Sequence, residues 1–405
     1  VSAHRLPHPV VYTVLYLPFG MLGGFVGVAL TFLATRSGLS VTEGAFLGAA
    51  SLMMNWLKWS WAPVVDTTLS PKAWYRISTA LSGLGVAAMA AIPLGPATLP
   101  WLLAVIALAS LVNSIVGMAV EALMAHVTPV EERGRVSAWF QAGNLGGNGV
   151  GGGLGLWLLQ ILPQPWMAGA LFGAAFLLCN LALRALPDIG SEPSPGGLGG
   201  AFRGVWKDVR EMAATQGGLL SAILCFLPIG TGAASGVLTQ ASVAAAWGAG
   251  DTEVALLQGV VAGIVTAIGC FGGGWLCQRF APRTAYAAIG LGLALVALGM
   301  AASPSTVAMY VVWNMLYSFV VGLAFAAFTA VVLDAIGKGS AATKYNLYAT
   351  LSNFPIWWVG LVLARSADAY GARTMLMVEA ALGVAGVAIF LVSTRAVRRT
   401  QLALG

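Results

Sequence analysis

Residues 188–215, Asp188-Ile-Gly-Ser-Glu-Pro-Ser-Pro-Gly-Gly-Leu-Gly-Gly-Ala-Phe-Arg-Gly-Val-Trp-Lys-Asp-Val-Arg-Glu-Met-Ala-Ala-Thr215, form the longest polar stretch of a 405-residue chain. The opening ten residues have the composition of a flexible linker. Phe202, Val205, Trp206, Val209 and Met212 then recur at helical spacing opposite Arg203, Lys207, Asp208, Arg210 and Glu211. This pattern predicts a short amphipathic helix lying on a membrane surface, either as a tether or as a helix that binds a partner.

Either side of this stretch is strongly apolar. The chain is 59% hydrophobic, holds 52 glycines and is only 8% charged, against roughly 25% charged residues in a soluble domain. A water-soluble protein of this composition would expose apolar patches far beyond a few hundred Å². Lipid is therefore the expected solvent. A hydrocarbon core about 30 Å thick needs about 20 apolar residues per helix, and such runs fall at 10–34, 44–63, 77–95, 99–124, 137–161, 166–186, 218–243, 254–276, 285–302, 306–333, 343–364 and 374–394. The first is too long for a signal-peptide core and reads as a retained helix. Six runs precede the polar stretch and six follow it. The expected fold is an all-α integral membrane protein of twelve helices: a bundle at 1–187, a cytoplasmic linker at 188–215 and a second bundle at 216–405.

Charge placement tests that count independently, because basic residues collect in cytoplasmic loops. With the N-terminus inside, all but three of the 20 Lys and Arg fall on the cytoplasmic side; Arg36, Arg365 and Arg373 remain outside. Both termini are then cytoplasmic. The net charge of +6 is a basic inner rim rather than a nucleic-acid surface. Cys179, Cys225, Cys270 and Cys277 lie in apolar runs without metal-ligand spacing and read as buried thiols. His4, His8 and His126 form no metal or catalytic cluster. No phosphate-binding Gly-x-x-x-x-Gly-Lys-Ser/Thr sequence occurs, and no carboxylates or histidines converge in the loops. An enzyme, a metal centre and a bound cofactor are not expected.

The two halves match weakly within themselves. Between runs two and three the chain reads Ala62-Pro-Val-Val-Asp66, then Pro71-Lys72 and Arg76. Between runs eight and nine it reads Gly274-Trp-Leu-Cys-Gln278-Arg279, then Pro282-Arg283. The first of these resembles a degenerate Gly-x-x-x-Asp motif of the major facilitator superfamily. The longer stretch Lys58-Trp-Ser-Trp61-Ala62-Pro63-Val-Val-Asp66 is similar to the Lys-x-x-Trp-Ala-Pro-x-x-Asp signature of the peptide, acetyl-CoA and drug transporters within it. That family includes AmpG-type muropeptide permeases. Ala342-Thr-Lys344-Tyr345-Asn346-Leu-Tyr-Ala-Thr-Leu-Ser-Asn353 resembles the same family's Ala-Thr-Gln-Tyr-Ala-Leu-x-Ser-Ser-Leu-Ser pattern, with Lys344 in place of Gln and Asn346 in place of Ala. The resemblance implies a bacterial inner-membrane permease that imports a bulky, partly anionic solute such as a muropeptide, with acyl-nucleotides and siderophores as neighbouring classes. In that superfamily an acid at the position of Asp66 pairs with a basic residue or faces a helix N-terminus at the cytoplasmic gate. Lys72, Arg76, Arg133, Gln278 and Arg279 are the expected gate neighbours, and Gln278 cannot replace the acid.

Ionisable residues inside apolar runs are costly and mark function. Glu121 follows Asn113 and Gly117 on one face of the fourth run and is the candidate for proton coupling; its alternative partners are Arg133 or Arg135 near the cytoplasmic end. Lys58 either snorkels to the headgroups amid Trp56, Trp59 and Trp61 or meets an anionic solute. Gln141, Asn144 and Asn148 line one face of a glycine-rich run, where the glycines serve close packing and the amides a cavity. Tyr16, Asn314, Tyr317, Asn346 and Asn353 complete a candidate solute cavity. Tyr12 and Tyr345 read as interfacial anchors, and Glu379 as a partner of Arg365 or Arg373. The leading function is a secondary transporter working by alternating access on a proton gradient, with a small-molecule solute, the bilayer and protons as partners and a monomer as the working unit. A transporter-like scaffold that moves no solute is the alternative from another class. A membrane transferase is the third.

Overall fold

The computed structural model describes residues 7–37, 39–190, 197–250, 253, 254, 257 and 260–404. Arg5, the linker residues 191–196 and most of the expected start of the eighth run lie outside the described residues. All regular structure among them is helical. The helices are α1 (Val10–Gly24), α2 (Val41–Leu57), α3 (Pro71–Ala91), α4 (Leu99–Val127), α5 (Arg133–Ile161), α6 (Pro165–Cys179), α7 (Gly197–Ala214), α8 (Gln216–Phe226), α9 (Val260–Arg279), α10 (Pro282–Ala302), α11 (Val307–Ile336), α12 (Ala341–Tyr370) and α13 (Ala372–Leu404). A π-helical stretch, Phe25–Leu30, carries α1 on into a final short helix, Thr31–Arg36.

Local signals set several starts. Ser40 and Glu43 close a capping box before α2. Pro71, Pro165 and Pro282 open α3, α6 and α10, where a missing backbone N–H is harmless. Eight helices among the described residues are long and apolar enough to cross a membrane, from Val10–Ala34 to Ala372–Val397. The polar linker does carry the amphipathic helix α7, with Val205 buried and Lys207 bonded one turn on to Glu211.

The seventh run is not continuous. A single span over 218–243 is the expectation from hydropathy, yet α8 stops at Phe226 and helix resumes only at Ala234–Leu238 and Ala241–Ala244. Pro228 denies the next turn a donor, and Gly230 and Gly232 take φ of +61° and +65°, a conformation glycine adopts without steric cost. Every residue from Leu224 to Ile229 is apolar or proline, so a hydropathy scan passes over the break.

The chain divides into two compact units. The first is Val1–Pro129, Trp139–Trp206 and Lys338–Asn346; the second is Val130–Ala138, Lys207–Gly337 and Leu347–Gly405. In the first unit α3 packs on α6 and α4, and α2 on α4. The glycines of α5 serve close approach to α1: a methyl at Gly151 would stand 1.9 Å from the Met21 carbonyl oxygen, and one at Gly20 2.0 Å from that of Asn144. In the second unit α9 packs on α11, where Gly322 and Gly269 bring the backbones together, and α10 packs on α13 and α11.

The substitution Gly151→Val should therefore force the α1 and α5 backbones apart. Overpacking costs about 1–3 kcal/mol in ordinary cores, and a contact with backbone belongs at the upper end. We expect a lowered thermal midpoint in detergent for Gly151→Val, and an unchanged one for Gly292→Ala, whose added methyl meets nothing within 4 Å.

Candidate functional site

The first unit gathers three of the expected residues around one acid. Glu121 on α4 is fully buried. Its Oε1 lies 3.7 Å from the Lys58 Nζ and accepts a hydrogen bond from the Tyr16 Oη at 3.2 Å. Its Oε2 accepts from the Asn346 Nδ2 at 2.8 Å. Of the alternative basic partners, Arg133 bonds Asp334 and Arg135 bonds Glu132. The snorkelling expectation for Lys58 is likewise corrected, because its residue is 7% exposed and its ammonium stands 5.8 Å from the Phe19 ring centre.

Local structure explains the convergence. Lys58 opens a 3₁₀ turn, Lys58–Ser60, that ends α2 before the short helix Ala62–Thr67. The tighter turn redirects the side chain, a rotation that a continuous α-helix would not allow. Tyr16 is held between Phe19 and Phe140, with ring centres at 4.8 Å and 3.9 Å. Gly117 leaves room for this stack: a methyl there would stand 3.3 Å from Phe19 and 3.4 Å from the Tyr16 Oη. Asn113, two turns from Glu121, donates to the Phe19 carbonyl at 3.2 Å. The remaining amide oxygens of Asn113 and Asn346 are buried and unpartnered, so the site retains acceptors for a further donor. Tyr12 and Tyr345 are buried rather than interfacial, at 2% and 3% exposure.

At one end of this unit Asp66 caps α12. Its carboxylate accepts from the backbone N–H groups of Ala342 and Thr343, at 3.1 and 2.7 Å, and from the Thr343 hydroxyl at 2.7 Å. Free donors and the positive end of the helix dipole both favour an anion there. Lys72 donates to the Leu186 carbonyl at 2.7 Å and pairs with Asp188 at 2.8 Å. That hydrogen bond, with the lysine charge behind it, holds the Asp188 carboxyl below the usual range. Arg76 is exposed.

The other expected residues lie elsewhere. Asn144 donates to Gln141 at 3.0 Å, while Asn148 is exposed. In the second unit Asn314 donates to the Tyr310 carbonyl at 2.8 Å and Asn353 is half-buried. Tyr317 donates to Glu379, which corrects the pairing of Glu379 with Arg365 or Arg373. Arg373 instead bonds the Ser303 carbonyl and the Ser305 hydroxyl. Arg133 and Arg283 share Asp334, at 3.3 and 3.2 Å. Gln278 and Arg279 are exposed, and Arg279 lies over the Trp275 ring. Asp334 escaped the sequence reading, although an acid closing a long apolar run and followed by Lys338 is a visible signal.

Apolar helices that enclose buried, paired polar groups suit a membrane transporter. The chain belongs to the Major Facilitator Superfamily, whose family model matches residues 12–357. It is 24% identical over 366 residues to the anhydromuropeptide permease of Escherichia coli strain K12, covering 85% of this chain and 71% of that protein. Its fold is similar to that of the E. coli fucose:proton symporter, with a TM-score of 0.72 at 16% identity over 95% of this chain and 98% of the other. The proton:xylose symporter gives 0.70 at 12% identity over 95% of each chain. The chain is thus an integral membrane transporter that resembles AmpG-type permeases, and not an enzyme.

Two outcomes follow from this geometry. Breaking a buried ion pair from one side costs about 3–5 kcal/mol, whereas replacing both partners by apolar groups is often neutral. Lys58→Met should lower the thermal midpoint, and Lys58→Met with Glu121→Leu should recover most of the loss. Loss of an N-cap costs about 1 kcal/mol, so Asp66→Ala should speed hydrogen exchange at the Ala342 and Thr343 amides by about fivefold while leaving α4 unchanged.

Proposed function

We propose that this chain is a secondary transporter of twelve membrane helices with both termini in the cytoplasm. It imports a bulky amphipathic or anionic solute of the muropeptide class across a bacterial inner membrane, coupled to protons by alternating access. The observation that carries the reading is the buried Glu121–Lys58 pair. Similarity to the anhydromuropeptide permease supports the solute class, and the fold shared with two proton symporters supports the coupling.

The coupling follows from charge. While Glu121 is ionised it holds the Lys58 ammonium and accepts hydrogen bonds from Tyr16 and Asn346. A proton arriving on Glu121 cancels the attraction and leaves Lys58 as a buried cation in need of an anion. A solute carboxylate meets that need. Proton and anionic solute therefore load together, and loss of the proton restores the internal pair and expels the solute's carboxylate. Tyr16, Asn113, Asn144, Asn148, Asn314, Tyr317, Asn346 and Asn353 supply polar contacts along the solute path. Asp66 acts as a latch on the start of α12, with Lys72, Arg76, Arg133, Gln278 and Arg279 around the cytoplasmic gate.

Proteoliposomes carrying Glu121→Gln should lose pH-gradient-driven accumulation of labelled anhydromuropeptide and keep counterflow. Intact uphill uptake by this variant would remove Glu121 from the mechanism. A wild-type protein that moves no solute and purifies with a membrane partner would favour the scaffold instead.

A further inference from the structure

The second unit buries an acid of its own. Glu379 on α13 is 5% exposed. Its Oε1 accepts a hydrogen bond from the Tyr317 Oη on α11, and the backbone N–H of Ala234 reaches the same carboxyl. Its Oε2 is buried without a hydrogen-bond partner. The carboxyl borders a small cavity of about 10 Å³, walled by Pro228, Gly230, Thr231, Gly290 and Ala294 among others. Such a volume admits about one water.

Unlike Glu121, this acid has no cation beside it. Among the described residues no Lys or Arg forms an ion pair with it. Arg283 on α10 is engaged by Asp334, and Arg373 on α13 by Ser303 and Ser305. Arg395 lies about four turns further along α13. Arg365 and Asp368 on α12, whose Val359 lines the cavity, form no ion pair with the acid among the described residues, and the nearer titratable groups are tyrosines and a thiol. Tyr286 on α10 donates to the Ile229 carbonyl, Tyr310 on α11 donates to that of Leu238, and Cys225 on α8 is a free buried thiol. A carboxylate desolvated without a counter-charge is far costlier than the neutral acid. One oxygen accepts from Tyr317, and the other, buried without a partner, is the place for a proton on this acid.

We propose that Glu379 is a second proton-binding site, loaded and emptied through the break at residues 227–233. One wall of its cavity is the non-helical segment, with Pro228, Gly230 and Thr231 on the cavity and Gly230 and Gly232 at positive φ. A change in that segment alters the water access of the carboxyl without moving α13. The consequence for stoichiometry, two protons per solute, rests on the transporter reading above; the protonation itself does not.

Infrared difference spectra of the full chain in lipid, taken between neutral and alkaline pH in ordinary and heavy water, report the carbonyl stretch of protonated buried carboxyls. Wild type should show such a band that Glu379→Gln removes and Glu121→Gln leaves in place. Tyr317→Phe keeps the acid and should shift the band, which preserves the test if Glu379→Gln misfolds. In proteoliposomes at a gradient of about one pH unit, Glu379→Gln should lower the accumulation ratio of labelled anhydromuropeptide about tenfold, the factor carried by one proton. A spectrum unaltered by both Glu379→Gln and Tyr317→Phe overturns the proposal. So does a band that sodium ions abolish at fixed pH, which would mark a sodium site. Because the band needs no transport, this inference and the coupling role of Glu121 can fail separately.

Discussion

A charged carboxyl with no exposure requires a cation and donors on every accessible lone pair, and that requirement organises the first unit around Glu121. Lys58 supplies the charge, and Tyr16 and Asn346 supply the donors. Each comes from a different segment, so three separate backbone paths must be held in place together. The 3₁₀ turn at Lys58, the missing side chain at Gly117 and the aromatic stack on Tyr16 are the local means. None of these features would be favourable alone: a turn that interrupts a helix, a glycine in a helix interior and a buried lysine each cost stability. They persist together because the ion pair penalises the loss of any one of them.

The same demand explains why α1 and α5 approach so closely. Tyr16 reaches Glu121 only if α1 lies near α4, and α1 is pressed there by the glycine face of α5 from Gly143 to Gly151. Lipid offers no hydrophobic drive for helix association, so small residues and dispersion contacts must do the work. Packing on this face positions the tyrosine. The glycines that read as plain packing residues are in this sense part of the site.

The sequence made the helix positions and the candidate acid readable for the same reason: a charge in an apolar run is conspicuous against hydropathy. Lys58 and Glu121 stood out singly. Their pairing did not, because it depends on a 3₁₀ turn among Trp59, Ser60 and Trp61 that carries no periodic signal. Asn346 was visible as a departure from a motif and as a cavity candidate, and its place beside Glu121 became plain once α12 began at Ala341. The break after Phe226 was hidden by its own apolar composition. Glu379 was misassigned because nearness in sequence to Arg373 counted for more than the α11 tyrosine, which is 62 positions away.

The two buried acids answer one problem in different ways. Glu121 has a lysine beside it, and in the proposed coupling that lysine gives the site a second state, in which an outside anion replaces the internal one. Glu379 has a tyrosine and a backbone N–H but no cation, so its balance lies in the proton itself, and an anion has nothing there to attract it. Anion recognition therefore belongs to the first unit. A substitution that placed a lysine beside Glu379 would create a second anion exchanger rather than strengthen the proton site, because the lysine would take the proton's place as the carboxyl's partner.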